Sequence, residues 1–278
     1  MNIVITAGHD GSLHSIALMH NLQENNHKVI GCIQVKTFQV KRLRYYLKQY
    51  GWKTVKAKFM SHVLGKENTF LANETKPIKS YLERLNITKR KTTSFCKKNG
   101  IKHIKVNSIN DKKFEKFLNK NNVDLIIYAG GGIVRKNIIN NSKYGVLNAH
   151  SGWLPFFRGM NVIEWSILYG FRPYTSIHLI DPGIDTGKIL YQEPIPLDKN
   201  LYTVRGNATV HNVELLTKIT NHLHFYIQHA RSQKKQEGKQ FFVMHPALKQ
   251  VVSDYLNRNY EEINSVLADK EINELNFE

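Results

Sequence analysis

The segment from Tyr144 to Leu190 reads YGVLNAHSGWLPFFRGMNVIEWSILYGFRPYTSIHLIDPGIDTGKIL. It begins with a short apolar run, residues 145–150, which predicts a buried strand ending in two polar residues, Asn148 and His150. Ligands bind beyond the ends of strands in open α/β sheets, because the loops there leave a crevice at the rim of the sheet. We therefore expect Asn148 and His150 to face a binding site.

A helix and a second strand follow the first strand. Apolar residues spaced through 162–169 predict a short helix, and residues 174–180 alternate well enough to predict a strand. That strand leads into a loop dense in turn formers, which carries the carboxylates Asp181 and Asp185. The segment is therefore expected to bring an amide, an imidazole and a carboxylate to two neighbouring strand ends.

These three groups suit acyl transfer. The imidazole of His150 can take a proton from an attacking amine, and the amide of Asn148 can donate to a developing oxyanion. A carboxylate such as that of Asp185 can orient the imidazole and stabilise its charge. Ser151 does not lie in the Gly-x-Ser-x-Gly elbow of a hydrolase, so transfer without a covalent enzyme intermediate is favoured.

Four motifs of this segment resemble the signature of the formyltransferases that use N10-formyltetrahydrofolate, most of all the nucleotide-sugar N-formyltransferases. They are Asn148-Ala149-His150, Leu154-Pro155, Arg158-Gly159 and Asp181-x-Gly183-x-Asp185-Thr186-Gly187. That family also includes the methionyl-tRNA and glycinamide ribonucleotide formyltransferases. The resemblance implies a Rossmann-like catalytic domain that transfers a formyl group to a primary amine.

The resemblance also implies roles for individual residues. The catalytic triad of the family would fall on Asn148, His150 and Asp185. Residues 123–133 resemble the strand and glycine-bearing loop that lie beside the folate in this family. The expected contacts to the cosubstrate N10-formyltetrahydrofolate are Tyr128, Gly130, Gly131, Gly132, Ile133 and Asp181.

Three further residues each have two interpretations. His9, in the turn after the first strand, can touch a substrate at the strand end or simply form the turn and cap the next helix. Arg158 can bind an anionic part of a substrate or pair with a loop carboxylate. His178 is expected to pack or to support the site rather than to react.

The rest of the chain predicts the fold around this segment. Residues 3–7, 29–33, 101–106 and 123–129 read as strands separated by helical patterns, and the apolar run at 123–129 is expected to be central. We therefore predict an α/β fold. It would be a Rossmann-like, mostly parallel sheet with helices on both faces, plus a short, mainly helical C-terminal extension.

Several other functions are disfavoured by the motifs. The glycines after the first and central strands lack the three-glycine spacing of dinucleotide-binding folds. The loop before Ile189 is one residue too short for a phosphate-binding loop and lacks its Ser or Thr. One Asp-Thr-Gly cannot supply the paired carboxylates of an aspartic protease. No metal is expected, because His222 and His224 are too close in sequence to share a helix face.

Composition limits the class of protein. The 278 residues can bury a sizeable core, and 41% of them are hydrophobic, which is compatible with a soluble globular protein. Cys32 and Cys96 form no ligand pattern and no disulfide framework. The N-terminus shows no signal-type run, and nothing approaches the ~20 apolar residues of a membrane span. A cytoplasmic location is therefore expected.

The formal net charge is +18, and most of it lies in one segment. Residues 36–98 hold 17 Lys and Arg against 3 Glu, an excess of 14. We predict a basic, helical insertion at about 38–100, longer than a usual crossover. It either binds a polyanion or a phosphate-bearing substrate, or is a solvated lysine-rich surface.

After the segment, residues 203–229 predict a long helix, and the polar residues 231–240 mark a boundary. We expect a catalytic domain at 1–230 and a C-terminal extension at 231–278. We expect this extension to be too short for the β-barrel that methionyl-tRNA formyltransferases append. Phe241 and Phe242 suggest either a homodimer surface or burial on the catalytic domain.

These points favour one acceptor. The hypothesis is N-formylation of a nucleotide-linked amino sugar for a surface polysaccharide, since a nucleotide diphosphate would explain part of the positive charge. Methionyl-tRNA or another amine is the alternative acceptor. An alternative of another class is a non-catalytic RNA-binding protein on a formyltransferase-like scaffold, against which the intact triad argues.

Overall fold

The computed structural model describes residues 1–36, 69–234 and 236–265. Its strands are, in chain order, β1 (Asn2–Ala7), β2 (Lys28–Val35), β3 (Lys102–Val106), β4 (Leu125–Tyr128), β5 (Val146–His150), β6 (Phe157–Gly159), β7 (Tyr174–Leu179), β8 (Ile189–Pro194) and β9 (Lys239–Phe241). Its helices are α1 (Leu13–Glu24), α2 (Thr69–Arg84), α3 (Thr92–Lys98), α4 (Lys112–Lys120), α5 (Lys136–Ile139), α6 (Val162–Leu168), α7 (Leu201–Asn221), α8 (Leu223–Gln228), α9 (Pro246–Arg258) and α10 (Tyr260–Ser265).

Seven strands form one sheet in the order β3-β2-β1-β4-β5-β7-β8. The first five are parallel, and β7 runs antiparallel to both β5 and β8. The strand β4 is the fourth of the seven, as its uninterrupted apolar sequence predicts, because such a strand is buried on both faces. The predicted fold, a mostly parallel Rossmann-like sheet, is confirmed.

Alternate residues of the strands pack into two cores, one on each face of the sheet. On β1, Ile3 and Ile5 belong to the core that α1, α2 and α7 cover. Val4, between them, belongs to the core under α4 and α5. Successive side chains of a strand point to opposite faces, so this arrangement requires helices on both sides of the sheet.

The predicted basic insertion is described only in part. Its second half contains α2 and α3, which pack beside the sheet. Residues 37–68, with much of the basic charge, lie outside the described residues. Among the described helices, none has the length and apolar character needed to cross a bilayer.

The C-terminal segment packs closely against the sheet domain. Met244, Val252 and Leu256 are buried in a core shared with α6 and the start of α7. The carboxylate of Glu164, on α6, is 1% exposed and pairs with Arg205 Nη1 at 2.7 Å. Lys249 Nζ, on α9, lies 3.7 Å from the same carboxylate. The proposed division at residue 230 stays a prediction, and these contacts cross it.

The two phenylalanines near residue 241 have different environments. Phe241 is buried and stacks on Phe157 with ring centroids 5.3 Å apart. Phe242 is exposed. Phe241 therefore packs on the part of the chain that precedes residue 230, which accounts for its apolar character without a second copy.

Candidate active site

Pairing between β5 and β7 sets the positions of the site residues. In the antiparallel register, Asn148 lies opposite His178, and His150 lies opposite Ser176. Asn148 and His150 are two residues apart, so they share one face of β5. Because β7 runs antiparallel to β5, β7 ends beside the start of β5, so the expectation of two neighbouring strand ends is wrong. The loop that carries Asp185 reaches His150 by folding back along β5.

His150 is held between a carbonyl and a carboxylate. Its Nε2 lies 2.9 Å from the carbonyl oxygen of Phe157, which can only accept, so Nε2 carries a hydrogen and donates. Its Nδ1 lies 3.5 Å from Asp185 Oδ2. The imidazole is 8% exposed and the carboxylate 17%. A second proton, on Nδ1, would therefore give an imidazolium stabilised by an adjacent carboxylate.

Asp185 is itself positioned by its backbone and by a neighbouring strand. Its Oδ2 accepts a hydrogen bond of 2.9 Å from the backbone N–H of Gly159, on β6. Its φ is +53°, a left-handed conformation that Asp and Asn adopt more easily than most residues. Two residues later, a Cβ on Gly187 would collide with the carbonyl of Leu179. This loop therefore depends on the sequence Asp-Thr-Gly for its path.

His178 has a defined role in the structure. Its Nδ1 lies 3.0 Å from the carbonyl oxygen of Leu179, so Nδ1 donates. Burial lowers the pKa of His178 to about 4, although Asp185 opposes this effect. A neutral ring with its hydrogen on Nδ1 has an acceptor at Nε2, which lies 3.0 Å from Asn148 Nδ2. His178 therefore fixes the amide of Asn148 with its N–H₂ group toward the histidine.

This neutral histidine should make stability depend on pH. Its pKa is about 4 in the folded protein against an ordinary 6.5, so the unfolded chain binds the proton more readily. The free energy of unfolding then has its full value above about pH 6.5 and falls as the pH is lowered toward 4. We expect wild-type protein to lose about 3 kcal/mol more unfolding free energy over this range than His178→Gln.

Urea unfolding of both proteins across that pH range measures this difference. Glutamine keeps an acceptor for Asn148 but does not titrate, so it is the matched control. An identical pH dependence in the two proteins would mean that His178 is not held neutral.

A cleft of about 330 Å³ opens beside these side chains. Its walls are Tyr128, Gly132, Ile133, Val134, Asn148, Met160, His178, Ile180, Asp181, Gly183, Ile184 and Asp185. They combine apolar side chains with a few polar groups, as small-molecule sites do. The walls include four of the predicted folate contacts (Tyr128, Gly132, Ile133 and Asp181) and two members of the predicted triad.

Hydrogen bonds shape two walls of this cleft. The Tyr128 hydroxyl donates to the carbonyl of Gly132 at 3.0 Å and accepts from its N–H at 3.1 Å. Asp181 Oδ1 accepts from the N–H of Gly183 at 3.0 Å and from the hydroxyl of Thr186 at 2.7 Å. Asp181 thus organises the loop that carries Asp185, in addition to lining the cleft.

The remaining predicted contacts lie outside the cleft lining. Gly130 and Gly131 have φ values of +105° and +130° and form the turn that leads to Gly132. His9 is exposed, and its carbonyl accepts from the N–H of Ser12 at 3.3 Å. The guanidinium of Arg158 is largely buried, and its Nη2 donates to the carbonyl of Gly238 at 3.4 Å. The substrate roles of His9 and Arg158 stay predictions.

Two residues near the site were assigned no role from the sequence. A Cβ on Gly152 would collide with the carbonyl of Phe157 and with the ring of His150, so the hydrogen bond between them needs glycine there. Gln233, far along the chain, donates to the loop that carries Asp185. Within the described residues, no three His, Cys, Asp or Glu side chains are grouped as metal ligands.

Comparison with known proteins gives a consistent result. A family model described as formyl transferase matches residues 46–219. The methionyl-tRNA formyltransferase of Finegoldia magna is 28% identical over 175 residues, which are 62% of this chain and 54% of that protein. The chain thus spans about half of that relative's length, and the match to the Syntrophus aciditrophicus methionyl-tRNA formyltransferase spans 36% of it.

Solved structures share the fold at low sequence identity. An N-formyltransferase from Helicobacter canadensis, crystallised with folinic acid and dTDP-3-aminofucose, has a TM-score of 0.54 at 14% identity. The likeness covers 94% of this chain and 82% of that one. Glycinamide ribonucleotide transformylase 1 from Symbiobacterium toebii has a TM-score of 0.52 at 14% identity, over 84% of this chain and 95% of that one.

Proposed function

The chain belongs to the formyl transferase family, and we propose that it transfers a formyl group from N10-formyltetrahydrofolate to a primary amine. One observation carries this proposal. The amide of Asn148 and the carboxylate of Asp185 line a single open cleft, and the imidazole of His150 lies 3.5 Å from that carboxylate, outside the cleft lining. These are the groups that acyl transfer to an amine requires.

In the proposed reaction, the neutral amine attacks the formyl carbon. A carbon–nitrogen bond forms to the acceptor, and the bond between the formyl carbon and folate N10 breaks. Asn148 donates to the formyl oxygen as negative charge develops on it, and protonated His150, whose ring nitrogens face Phe157 and Asp185, stabilises that charge electrostatically. The Asp185 carboxylate complements the charge on His150 and helps to relay the proton that the amine loses, which ends on N10 of tetrahydrofolate.

The cleft has the character that a reduced folate needs. Val134, Ile180 and Ile184 provide apolar walls for a flat ring system, and Asp181 and backbone groups provide polar contacts. The formyl donor would bind there with its reacting group toward Asn148. The predicted contacts Tyr128, Gly132 and Ile133 would close one side of the cleft.

For the acceptor, we propose a nucleotide-linked amino sugar, as a step in surface polysaccharide synthesis. The Helicobacter canadensis enzyme, crystallised with such a sugar nucleotide, shares the fold over 94% of this chain. The net charge of +18 suits an acceptor that carries a diphosphate. The second candidate is methionyl-tRNA, because the Finegoldia magna and Syntrophus aciditrophicus relatives, 28% and 34% identical, are methionyl-tRNA formyltransferases.

An acceptor panel tests this proposal. Purified protein is incubated with N10-formyltetrahydrofolate and each of three amines: amino-sugar nucleotides, methionyl-tRNA and glycinamide ribonucleotide. Mass spectrometry then detects the gain of one formyl group. We expect a gain on an amino-sugar nucleotide and none on glycinamide ribonucleotide. Formylation of methionyl-tRNA alone would mean that methionyl-tRNA, and not an amino-sugar nucleotide, is the acceptor. Absence of formylation on every amine would contradict the proposed activity.

A further inference from the structure

The segment that follows α8 contacts two parts of the chain that surround Asp185: the loop that leads to β8, and strand β6. Arg231 exchanges two backbone hydrogen bonds of 2.8 Å with Ile189, at the start of β8. Eight residues later begins β9, which pairs in parallel with β6, the strand whose Gly159 N–H donates to the Asp185 carboxylate. Both contacts therefore come from a stretch of chain about 50 residues after Asp185 in sequence.

Within this stretch, Gln233 makes the direct contact with the Asp185 loop. Its side-chain Nε2 donates to the carbonyl of Asp185 at 3.0 Å and to the carbonyl of Gly187 at 2.6 Å. The side-chain amide thus bridges the carbonyls of Asp185 and Gly187, which lie on either side of the Thr186–Gly187 peptide. Gln233 thus holds the loop by two hydrogen bonds from outside it, whereas Asp181 forms hydrogen bonds within the loop.

The same segment also supports the other partner of Asp185. The N–H of Met160 donates to the carbonyl of Phe241 at 3.0 Å, and a Cβ on Gly159 would collide with that carbonyl. The backbone of Asp185 therefore depends on Gln233, and its side chain depends on Gly159, which β9 holds. Both contacts therefore act on the residue whose carboxylate lies 3.5 Å from His150.

We propose that Gln233 is a positioning residue, which holds the backbone of Asp185 so that its carboxylate faces His150. This inference rests on the proposed function, because the placement of the Asp185 carboxylate beside His150 affects the rate only if the two residues take part in formyl transfer. A misplacement of about 1 Å at a reacting group can lower a rate about 100-fold. Gln233 acts through Asp185 and need not touch either substrate.

The substitution Gln233→Met tests this role, since methionine keeps the length of the side chain and removes the donor. We expect kcat to fall about 10- to 100-fold, with KM for the folate nearly unchanged. Gln236→Met is the matched control, because Gln236 is exposed in the same segment and should retain wild-type kcat. If Gln233→Met does not fold, the shorter Gln233→Asn takes its place.

The division of the effect between kcat and KM separates positioning from a general loss of stability. A displaced Asp185 carboxylate lowers kcat in folded protein and leaves KM for the folate nearly unchanged. A variant that is only less stable would keep wild-type kcat and KM at temperatures well below its Tm. Unchanged kcat in folded Gln233→Met would overturn the inference.

A readout independent of turnover keeps this inference distinct from the proposed function. If the wild-type protein formylates no amine, the proposed function fails, and the crystal structure of Gln233→Met then decides the role of Gln233. A separation between Asp185 and His150 clearly longer than in the wild type supports positioning. An unchanged separation overturns it.

Discussion

Substitution of His150 by glutamine is expected to lower kcat about 10²- to 10⁴-fold, the range that one general acid or base contributes. Glutamine can still donate to the carbonyl of Phe157, as His150 Nε2 does at 2.9 Å. It cannot carry the second proton that faces Asp185. The loss should therefore fall on the chemical step rather than on folate binding.

Steady-state kinetics with the acceptor found in the panel measure this loss. Binding of the stable analogue 5-formyltetrahydrofolate, followed by calorimetry, is the control and should change little. A His150→Gln variant with wild-type kcat would show that the imidazole takes no part in transfer.

Substitution of Asp185 by asparagine is expected to lower kcat by a similar factor, about 10²- to 10⁴-fold. Asparagine tolerates the φ of +53° at this position, and its amide oxygen can accept from the N–H of Gly159 as Oδ2 does now. The substitution thus removes the negative charge beside His150 while it keeps the loop. Alanine at this position would remove both the charge and the hydrogen bond to Gly159, so a lower kcat could not be assigned to the charge alone.

Thermal unfolding of Asp185→Asn should show a Tm close to that of the wild type, so that reduced turnover reports on charge. Full turnover of a correctly folded Asp185→Asn would contradict the role of the carboxylate.

The parts of the site that can be predicted from the sequence are those that depend on patterns within a few consecutive residues. The apolar run of β4, the polar end of β5 and the turn formers after β7 are all local signals, and the structure has each element where it is expected. Asn148 and His150 lie two residues apart on one strand, so their shared face follows from strand geometry alone. The cleft walls Tyr128, Gly132 and Asp181 come from two such stretches.

The parts that the sequence does not predict depend on pairings between distant residues. The role of His178 follows from the antiparallel register that places it opposite Asn148, and periodicity within one strand cannot give that register. Gln233 lies in a polar stretch that resembles a linker, and only its position against the Asp185 loop shows what it contacts. The helix predicted at 203–229 divides into α7 and α8, because His222 leaves the helical conformation at φ −123°.

The measurement that tests this account most directly is a crystal structure of the protein with 5-formyltetrahydrofolate. We predict that the ligand occupies the cleft lined by Tyr128 and Asp181, with its formyl group within hydrogen-bond reach of Asn148 and on the side of the cleft next to His150. Binding of the ligand elsewhere on the protein, or with its formyl group turned away from both side chains, would contradict the proposed mechanism.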